Sequence, residues 1–297
     1  MRIAITGSSG FVGSPVANDL AAAGHDIVRL VRSPHGAANT AAWSPATGAI
    51  DTKALGDVDA VVHLAGENIA GGRWSTARKK AIHDSRGPAT ERLCRSLAAL
   101  PRRPRVLVAA SATGVYGDRG DEPLDERSAR GTGYLADVAN AWEAGTAPAA
   151  AAGIRVVHVR FGVVLDPRGG ALKKMLPPFR FGLGGRLGSG KQWTSWIALA
   201  DAVRIVRFAI ERTDLTGPVL AVAPEPATNT QFTKALAAAL HRPAVFPVPA
   251  FVLRLLLGEM ADALLLASVR AYPRRLLDAG FRFDHGDLPG ALTTMLS

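Results

Sequence analysis

The chain has 297 residues, 48% of them hydrophobic, and a formal net charge of +10. That length suits one large α/β domain with an appended lobe and a sizeable core, while a single cysteine, Cys94, excludes an internal disulfide and any cysteine-rich metal site. The positive charge invites nucleic acid, but the basic residues fall in scattered pairs such as Lys79-Lys80, Arg102-Arg103 and Arg274-Arg275, so no nucleic-acid partner is expected and an anionic cofactor or substrate is the simpler use of the charge.

The chain opens with a buried strand pattern, Ile3-Ala4-Ile5, running into Gly7, Gly10 and Gly13. The first glycine allows the tight turn, the second lets backbone approach a pyrophosphate, and the third permits close packing of helix on strand. The following helix offers free N–H groups and the positive end of its dipole. Gly7, Ser9, Gly10, Phe11, Val12 and Gly13 are therefore the first cofactor contacts. Pro15 suggests that this helix starts late or bends. A second strand, Ile27 to Val31, ends at Arg32-Ser33. An NAD-selecting site places a carboxylate there. Arg32 instead suits a 2′-phosphate, so NADP(H) is expected over NAD(H), with Ser33 beside it.

A third strand, Val58 to Leu64, ends at Leu64-Ala65-Gly66-Glu67, the next cofactor-lining segment. Asn68, Arg73 and Trp74 follow it toward the nicotinamide end and are candidate substrate contacts; Arg73 and Trp74 read equally well as a ligand clamp or as packing. His63 reads as a hydrogen-bonded core residue, and no metal is expected because no second histidine lies at ligand spacing. Arg78 to Leu100 is a helical region interrupted near Gly87-Pro88. Arg105 to Ala110 is a strand ending at Ser111, Leu135 to Ala151 a helix, and Ile154 to Phe161 a strand. Arg160, Phe161 and Gly162 close the list of cofactor contacts. Strands followed by helices imply a doubly wound parallel sheet with the ligand crevice at the carboxyl ends of the strands.

From about Gly169 glycine and proline become frequent. A helix covers Leu199 to Glu211, Pro218 to Pro226 is punctuated by proline, and Pro243, Pro247 and Pro249 mark a hinge. Residues 1–240 are read as the dinucleotide-binding domain, with a substrate-side segment at about 169–198. Residues 241–297 are read as a smaller helical lobe. Phe251 to Ser268 contains Arg254, Glu259 and Asp262, and is read as a buried amphipathic helix rather than a membrane span. The first strand begins at residue 2, which leaves no room for a leader and makes a cytoplasmic location the expectation.

The cradle Thr6-Gly7-Ser8-Ser9-Gly10-Phe11-Val12-Gly13, the strand end His63-Leu64-Ala65-Gly66 and the segment Ser111-Ala112-Thr113-Gly114-Val115-Tyr116-Gly117 resemble an extended short-chain dehydrogenase/reductase. More narrowly, Glu67-Asn68-Ile69, Gly72-Arg73-Trp74, Arg160-Phe161-Gly162-Val163-Val164-Leu165, Ser195-Trp196-Ile197 and Gly280-Phe281-Arg282-Phe283 resemble its atypical branch of epimerase family proteins of sugar-nucleotide type. The resemblance spans nearly the whole chain and implies a Rossmann domain plus a small helical C-terminal domain of the DUF1731 type. One departure is Ala198, where the family tends to have histidine.

Short-chain dehydrogenases usually carry Tyr-x-x-x-Lys, in which lysine lowers the tyrosine pKa and tyrosine moves a proton during hydride transfer. Here Gly120, Val138 and Leu276 stand four residues after Tyr116, Tyr134 and Tyr272, and no lysine occurs between Lys80 and Lys173. Candidate replacements are Tyr134 at the helix start and the hydroxyls of Ser111 and Thr113. Tyr116, Gln192 and Trp196 are candidate substrate-side residues, though Tyr116 and the tryptophan also read as structural. The leading expectation is an NADP(H)-binding oxidoreductase or epimerase-like protein acting on a carbonyl or nucleotide-sugar-like small molecule. A homodimer is the oligomeric option. The alternative is a non-catalytic protein that binds NADP(H) for regulation or sensing.

Overall fold

Strand β1 (Arg2–Thr6) is flanked on both sides by strands that come later in the chain, which makes it the pivot of the sheet. The strands β2 (Asp26–Val31), β3 (Thr40–Ala42), β4 (Ala60–His63), β5 (Val106–Ala112), β6 (Arg155–Phe161) and β7 (Gly217–Ala221) complete seven strands in the order β7-β6-β5-β4-β1-β2-β3. Every neighbouring pair is parallel. The structure is a computed structural model and describes residues 1–34 and 38–297.

Alternation along the strands builds two cores. Ile3, Ile5, Val62, Val108 and Val157 point to one face, where they meet Val16 and Leu20 of α1 (Gly13–Ala22). Ala4, Val28, Val61 and Leu107 point to the other. That second face is covered by the helix Gly87–Ala98 and, behind the edge, by α2 (Thr52–Leu55). Fully buried aliphatic side chains such as Ile3 and Ile5 each contribute roughly 1.5–3 kcal/mol. Continuous burial on both faces explains why these strands read as unbroken Val/Ile runs.

The region Arg78 to Leu100 is two helices, α3 (Thr76–Asp84) and α4 (Gly87–Ala98), with Pro88 in the first turn of the second. The helix expected over Leu135 to Ala151 is likewise divided, into α5 (Tyr134–Ala144) and α6 (Ala147–Ala151), with Pro148 opening the latter. Pro15 neither delays nor ends α1. It falls in the first turn, where an N–H has no intrahelical partner to lose. Cys94 is buried on α4, and burial pushes its thiol up to about 12, as befits a small hydrophobe.

Strands β3 and β7 have no counterpart in the sequence reading. In β7 the obstacle was Pro218, which a strand tolerates at a sheet edge. Its carbonyl accepts a bond from Arg275 Nη1 at 2.6 Å, and the Leu220 N–H two residues on donates to Glu126 Oε1 at 3.0 Å.

After β6 come α7 (Gly170–Arg180), α8 (Leu199–Glu211), α9 (Asn229–Ala239) and α10 (Ala250–Leu257). Helix α8 joins the first core through Ala202, Ile205 and Val206. A further core combines Leu172 and Leu176 of α7 with Phe232 and Leu236 of α9 and Leu288 and Leu292 of the C-terminal helix Leu288–Leu296. The end of the chain is thus built into the elements before residue 240. The buried helix expected over Phe251 to Ser268 is not found. Gly258, with φ 63°, stops α10 after eight residues, and Phe251 and Leu255 are 68% and 73% exposed. Among the described residues no helix is long and apolar enough to cross a membrane.

Candidate cofactor and substrate site

The turn after β1 is a close fit of backbone on backbone. Gly7 adopts φ +69°, and a Cβ there would come within 2.8 Å of Ala65 N and Leu64 C. A Cβ on Gly13 would lie 2.0 Å from the Gly7 oxygen. The Gly10 N–H donates to that same oxygen at 2.9 Å, which fixes the loop. The neighbouring strand end is held by Thr6, whose Oγ1 accepts the N–H groups of Leu64 and Ala65, both at 3.2 Å. With those acceptor positions filled, its hydroxyl proton goes to His63 Nδ1 at 2.7 Å, which places the imidazole proton on Nε2 facing Thr90 Oγ1 at 2.8 Å. Burial, reinforced by the charge of Arg86, pulls His63 down to about 4, so the imidazole is neutral. His63 is a core residue that supports the cradle, and Thr6 is a supporting residue that the sequence reading passed over.

Arg32 stands exposed just beyond β2, with no partner among the described residues, and Ser33 is exposed beside it. Arg29, within β2, turns back toward the cradle. Its Nη1 donates to the Ser8 carbonyl at 3.2 Å and braces the loop from behind. Ser9 is exposed at the loop tip, Val12 precedes α1, and the ring of Phe11 packs beneath Gly169 and Gly170. These features fit a dinucleotide diphosphate at the cradle and a phosphate-bearing ribose at Arg32.

At the carboxyl ends of β5 and β6, between the sheet and residues 263–269, lies a cavity of about 200 Å³. Its wall from α5 is Leu135, Val138, Ala139 and Trp142, spaced as one helical face. Thr113 and Gly114 line it from the end of β5, Phe161 and Gly162 from the end of β6, and Leu264 and Leu265 from the C-terminal segment. The α5 positions four apart that face this space are Leu135 with Ala139 and Val138 with Trp142, and neither pair holds a tyrosine or a lysine. A larger open hollow, lined in part by Lys53 and Arg102, lies at the opposite, amino ends of the strands.

Several sequence candidates turn away from the cavity. Tyr134 is one residue off the cavity-facing stripe. Its hydroxyl donates to the Lys79 carbonyl at 2.8 Å and its ring packs edge-on against Trp74 at 4.9 Å. Burial raises its pKa, and the charge of Arg86 only partly offsets this. The Lys79 ammonium, 4.7 Å above that ring, is paired with Glu259 at 2.9 Å. Ser111 is buried and donates to Glu143 Oε1 at 2.8 Å. Arg160 grips the same carboxylate through Nε at 2.7 Å and Nη2 at 2.9 Å, and also donates to the Tyr116 hydroxyl at 2.8 Å. Tyr116 in turn donates to the Asp125 carbonyl at 2.8 Å, and burial pushes it up to about 12. Burial would raise Glu143, but the hydrogen bonds and charge of Arg160 outweigh it and hold the carboxyl below its usual range. Ser111, Tyr116 and Arg160 therefore form one buried network with Glu143 behind the cavity wall.

Trp196 is fully buried, its indole N–H donating to the Glu225 carbonyl at 2.9 Å. Gln192 is buried and ties the Leu187 and Leu265 carbonyls, both at 3.0 Å. Asp201 has a structural role. Buried in the first turn of α8, it accepts the N–H groups of Asp284 and His285 at 3.0 and 2.9 Å and pins the C-terminal loop. Asn68 caps its own turn through the Ala70 N–H at 3.0 Å. The Trp74 indole donates to the Ile69 carbonyl at 2.9 Å, the exposed Arg73 reaches toward Gly258, and Glu67 lies 3.7 Å from Arg78. Of the candidate catalytic groups only Thr113 lines the cavity, and its hydroxyl has no partner among the described residues. The cavity-lining Arg86, Trp142 and Leu135 were not anticipated. The apolar spacing 135, 138, 139, 142 was the signal available for the last two.

The NAD dependent epimerase/dehydratase family matches residues 3–223, and a domain of unknown function, DUF1731, matches residues 248–295. The chain is 46% identical over 290 residues to the epimerase family protein MT2273 of Mycobacterium tuberculosis, covering 98% of this chain and 96% of that protein. It superposes on the crystal structure of human epimerase family protein SDR39U1 with NADPH at a TM-score of 0.90 and 32% identity, covering 100% of this chain and 99% of the other. A Thermus thermophilus UDP-glucose 4-epimerase, solved as a complex with NAD, shares the fold at a TM-score of 0.75 and 21% identity, over 99% and 98% of the two chains. By its glycine cradle, its sheet order and these matches over nearly its whole length, the chain belongs to the NAD dependent epimerase/dehydratase family, among the epimerase family proteins that carry a DUF1731 segment.

Proposed function

We propose that this protein is an NADP(H)-dependent oxidoreductase or epimerase-like enzyme acting on a small carbonyl compound in the cavity at the carboxyl ends of β5 and β6. The observation that carries the cofactor choice is Arg32, an exposed cation with no partner among the described residues, just beyond β2 where NAD-selecting sites hold a carboxylate. The NADPH present in the human SDR39U1 structure supports the same choice. Bound NADP(H) supplies or accepts a hydride. Gly7, Gly10 and Gly13 let backbone approach the diphosphate, and Arg32 pairs with the 2′-phosphate. The apolar wall of Leu135, Val138 and Trp142 excludes water. The Thr113 hydroxyl donates to a carbonyl oxygen and so orients and polarises it. Ser111, with its proton committed to Glu143, and Tyr134, committed to Lys79, act as supports in this reading. The test is a panel of aldehydes, ketones and nucleotide sugars, followed by NADPH absorbance with wild type and Thr113→Val. Consumption of NADPH that falls at least about tenfold in the variant is expected; tight NADPH binding without turnover on any compound would defeat the reading.

One observation favours a second reading. The cavity-facing side chains of α5, Leu135, Val138, Ala139 and Trp142, include no group that transfers a proton near neutral pH. A protein that holds NADP(H) and reports its redox state to a partner would need no proton donor there. A partner captured with NADPH but not with NADP⁺, without turnover, would establish it.

A further inference from the structure

Arg86 sits between α3 and α4, 6% exposed, and lines the cavity. Main-chain carbonyls hold its guanidinium in place: Nη1 donates to Ile82 at 3.2 Å and Nη2 to Glu67 at 2.9 Å. Its face lies 4.8 Å from the centre of the Trp142 ring, and Gly66 leaves the room it occupies, since a Cβ there would come 3.2 Å from Cζ. Its Nε is buried without a hydrogen-bond partner among the described residues. No carboxylate among them lies within 4.0 Å of it. Glu67, the carboxylate whose charge still reaches it, is exposed and turned to Arg78 at 3.7 Å; Asp84, two residues before it, is paired with Lys80, and Glu91 with Arg95. Other groups around it do not offset the charge: His63 is neutral, and Tyr134 is a phenol above its ordinary range. Burial pulls Arg86 itself down to about 10, still protonated at neutral pH. A buried cation held in a fixed pose, stacked on an aromatic ring and lacking a counter-ion, calls for an anion from outside the chain.

The rest of the cavity limits what that anion is attached to. Trp193 and Ser195 border the space, but the indole N–H donates to Asp121 Oδ1 at 2.8 Å and the Ser195 hydroxyl to the Val269 carbonyl at 2.8 Å. Ile69, Leu135, Val138, Leu264 and Leu265 supply hydrocarbon. At about 200 Å³ the space is smaller than the roughly 300–1,000 Å³ of sites for drug-sized ligands. A nucleotide sugar needs donors and acceptors around a hexose, a diphosphate and a base, and beyond Arg86 this wall offers few: Thr113, Thr194 and the Trp142 indole N–H, which has no partner among the described residues. We propose that Arg86 is the anion-recognition residue of the cavity, and that the cavity takes a small, otherwise apolar carboxylate whose charge serves as the counter-ion of Arg86. This rests on the reading of the cavity as the substrate site. Thr113 remains available for a carbonyl elsewhere on the same molecule.

The experiment is calorimetric titration of the protein saturated with NADPH. Phenylacetate, isovalerate and pyruvate are compared with their neutral amides, and UDP-glucose is included. At least one acid is expected to bind about tenfold or more tighter than its amide. Arg86→Gln should abolish that preference, Arg86→Lys should keep part of it, and the NADPH Kd should move less than about threefold in both. Acids and amides binding alike, no acid binding to the NADPH complex, or UDP-glucose binding best would overturn the proposal. So would an Arg86→Gln variant that loses NADPH by about tenfold or more, since the anion would then be the cofactor's own phosphate. If the variant does not fold, the acid-against-amide comparison on wild type still decides. A wild-type protein that fails to bind NADPH would instead refute the cofactor reading and leave the acid-against-amide result to be judged on the unliganded protein.

Discussion

The cradle and the cavity share one edge of one sheet, yet they are made of different material. The cradle is main chain: one short run, Gly7 to Gly13, packed so closely on the end of β4 that a Cβ at Gly7 would lie 2.8 Å from the backbone there. The cavity is side chain: apolar groups from α5, the ends of β5 and β6, and residues 263–269, with the nearby polar groups tied up in structural bonds. A backbone site tolerates almost no change at its glycines and is the same for any dinucleotide-binding chain. A side-chain site is free to vary, and its specificity is carried by the few polar groups left unpaired.

This contrast can be broken at either end. The largest effect is expected from Gly13→Ala, whose methyl would fall on the Gly7 oxygen. Titration of NADPH by fluorescence should show binding lost by about a hundredfold or more, since relief requires the whole turn to move. Native-like affinity would mean that the turn is softer than its packing implies.

On the cavity side, Glu143→Ala leaves Arg160 buried without its carboxylate and should cost roughly 3–5 kcal/mol in a urea melt. NADPH binding by the protein that remains folded should persist, because the cradle does not depend on this pair. The native pair also carries a pH signature. Glu143 is depressed in the fold, so its stabilisation is complete above the unfolded carboxyl value of roughly 4.3 and is lost as pH falls through the lower folded value.

His63 supplies the matching signature beneath the cradle. Its folded value of about 4 lies below the ordinary histidine value of 6.5, so its stabilisation is full above pH 6.5 and declines as pH falls toward 4. On the order of 3 kcal/mol should be lost across that window by thermal melts, and His63→Gln should flatten the decline.

Smaller effects sharpen the division of labour. Arg32→Ala should weaken NADPH by about 10–100-fold and leave NADH unchanged, compared by parallel titrations. Equal losses for both cofactors would remove Arg32 from 2′-phosphate recognition. Tyr134→Phe should lower stability by about 0.5–1.5 kcal/mol through the lost bond to the Lys79 carbonyl, with any turnover retained. A large loss of turnover in that variant would return Tyr134 to the chemistry.

The same contrast explains what could be read from the amino-acid sequence. The cradle was legible because its glycine spacing and its strand-to-helix context lie within a dozen residues. Arg32 was legible because its place relative to that cradle is fixed by one βαβ step. Tyr134 and Ser111 were misleading because chain position does not reveal the phase of a side chain. One residue along α5 separates Leu135, which faces the cavity, from Tyr134, which faces α3. Ser111, one residue before the cavity-lining Ala112, points to Glu143 instead. Arg86 was invisible because burial of a lone arginine depends on Glu67, Ile82 and Trp142 arriving from three different places. Pro218 was taken for loop punctuation because a proline's tolerance in a strand depends on whether a neighbour lies beyond it.

That last feature has a bearing on assembly. At the outer edge of β7 one residue lacks a donor altogether, the next outward donor is held by Glu126, and the carbonyl of Pro218 is held by Arg275. No free ladder remains there for a second sheet to join, so two copies of this protein cannot associate by extending the sheet across β7. A dimer formed at this edge must use side-chain surfaces, because one proline and the side chains of Glu126 and Arg275 close it to strand pairing.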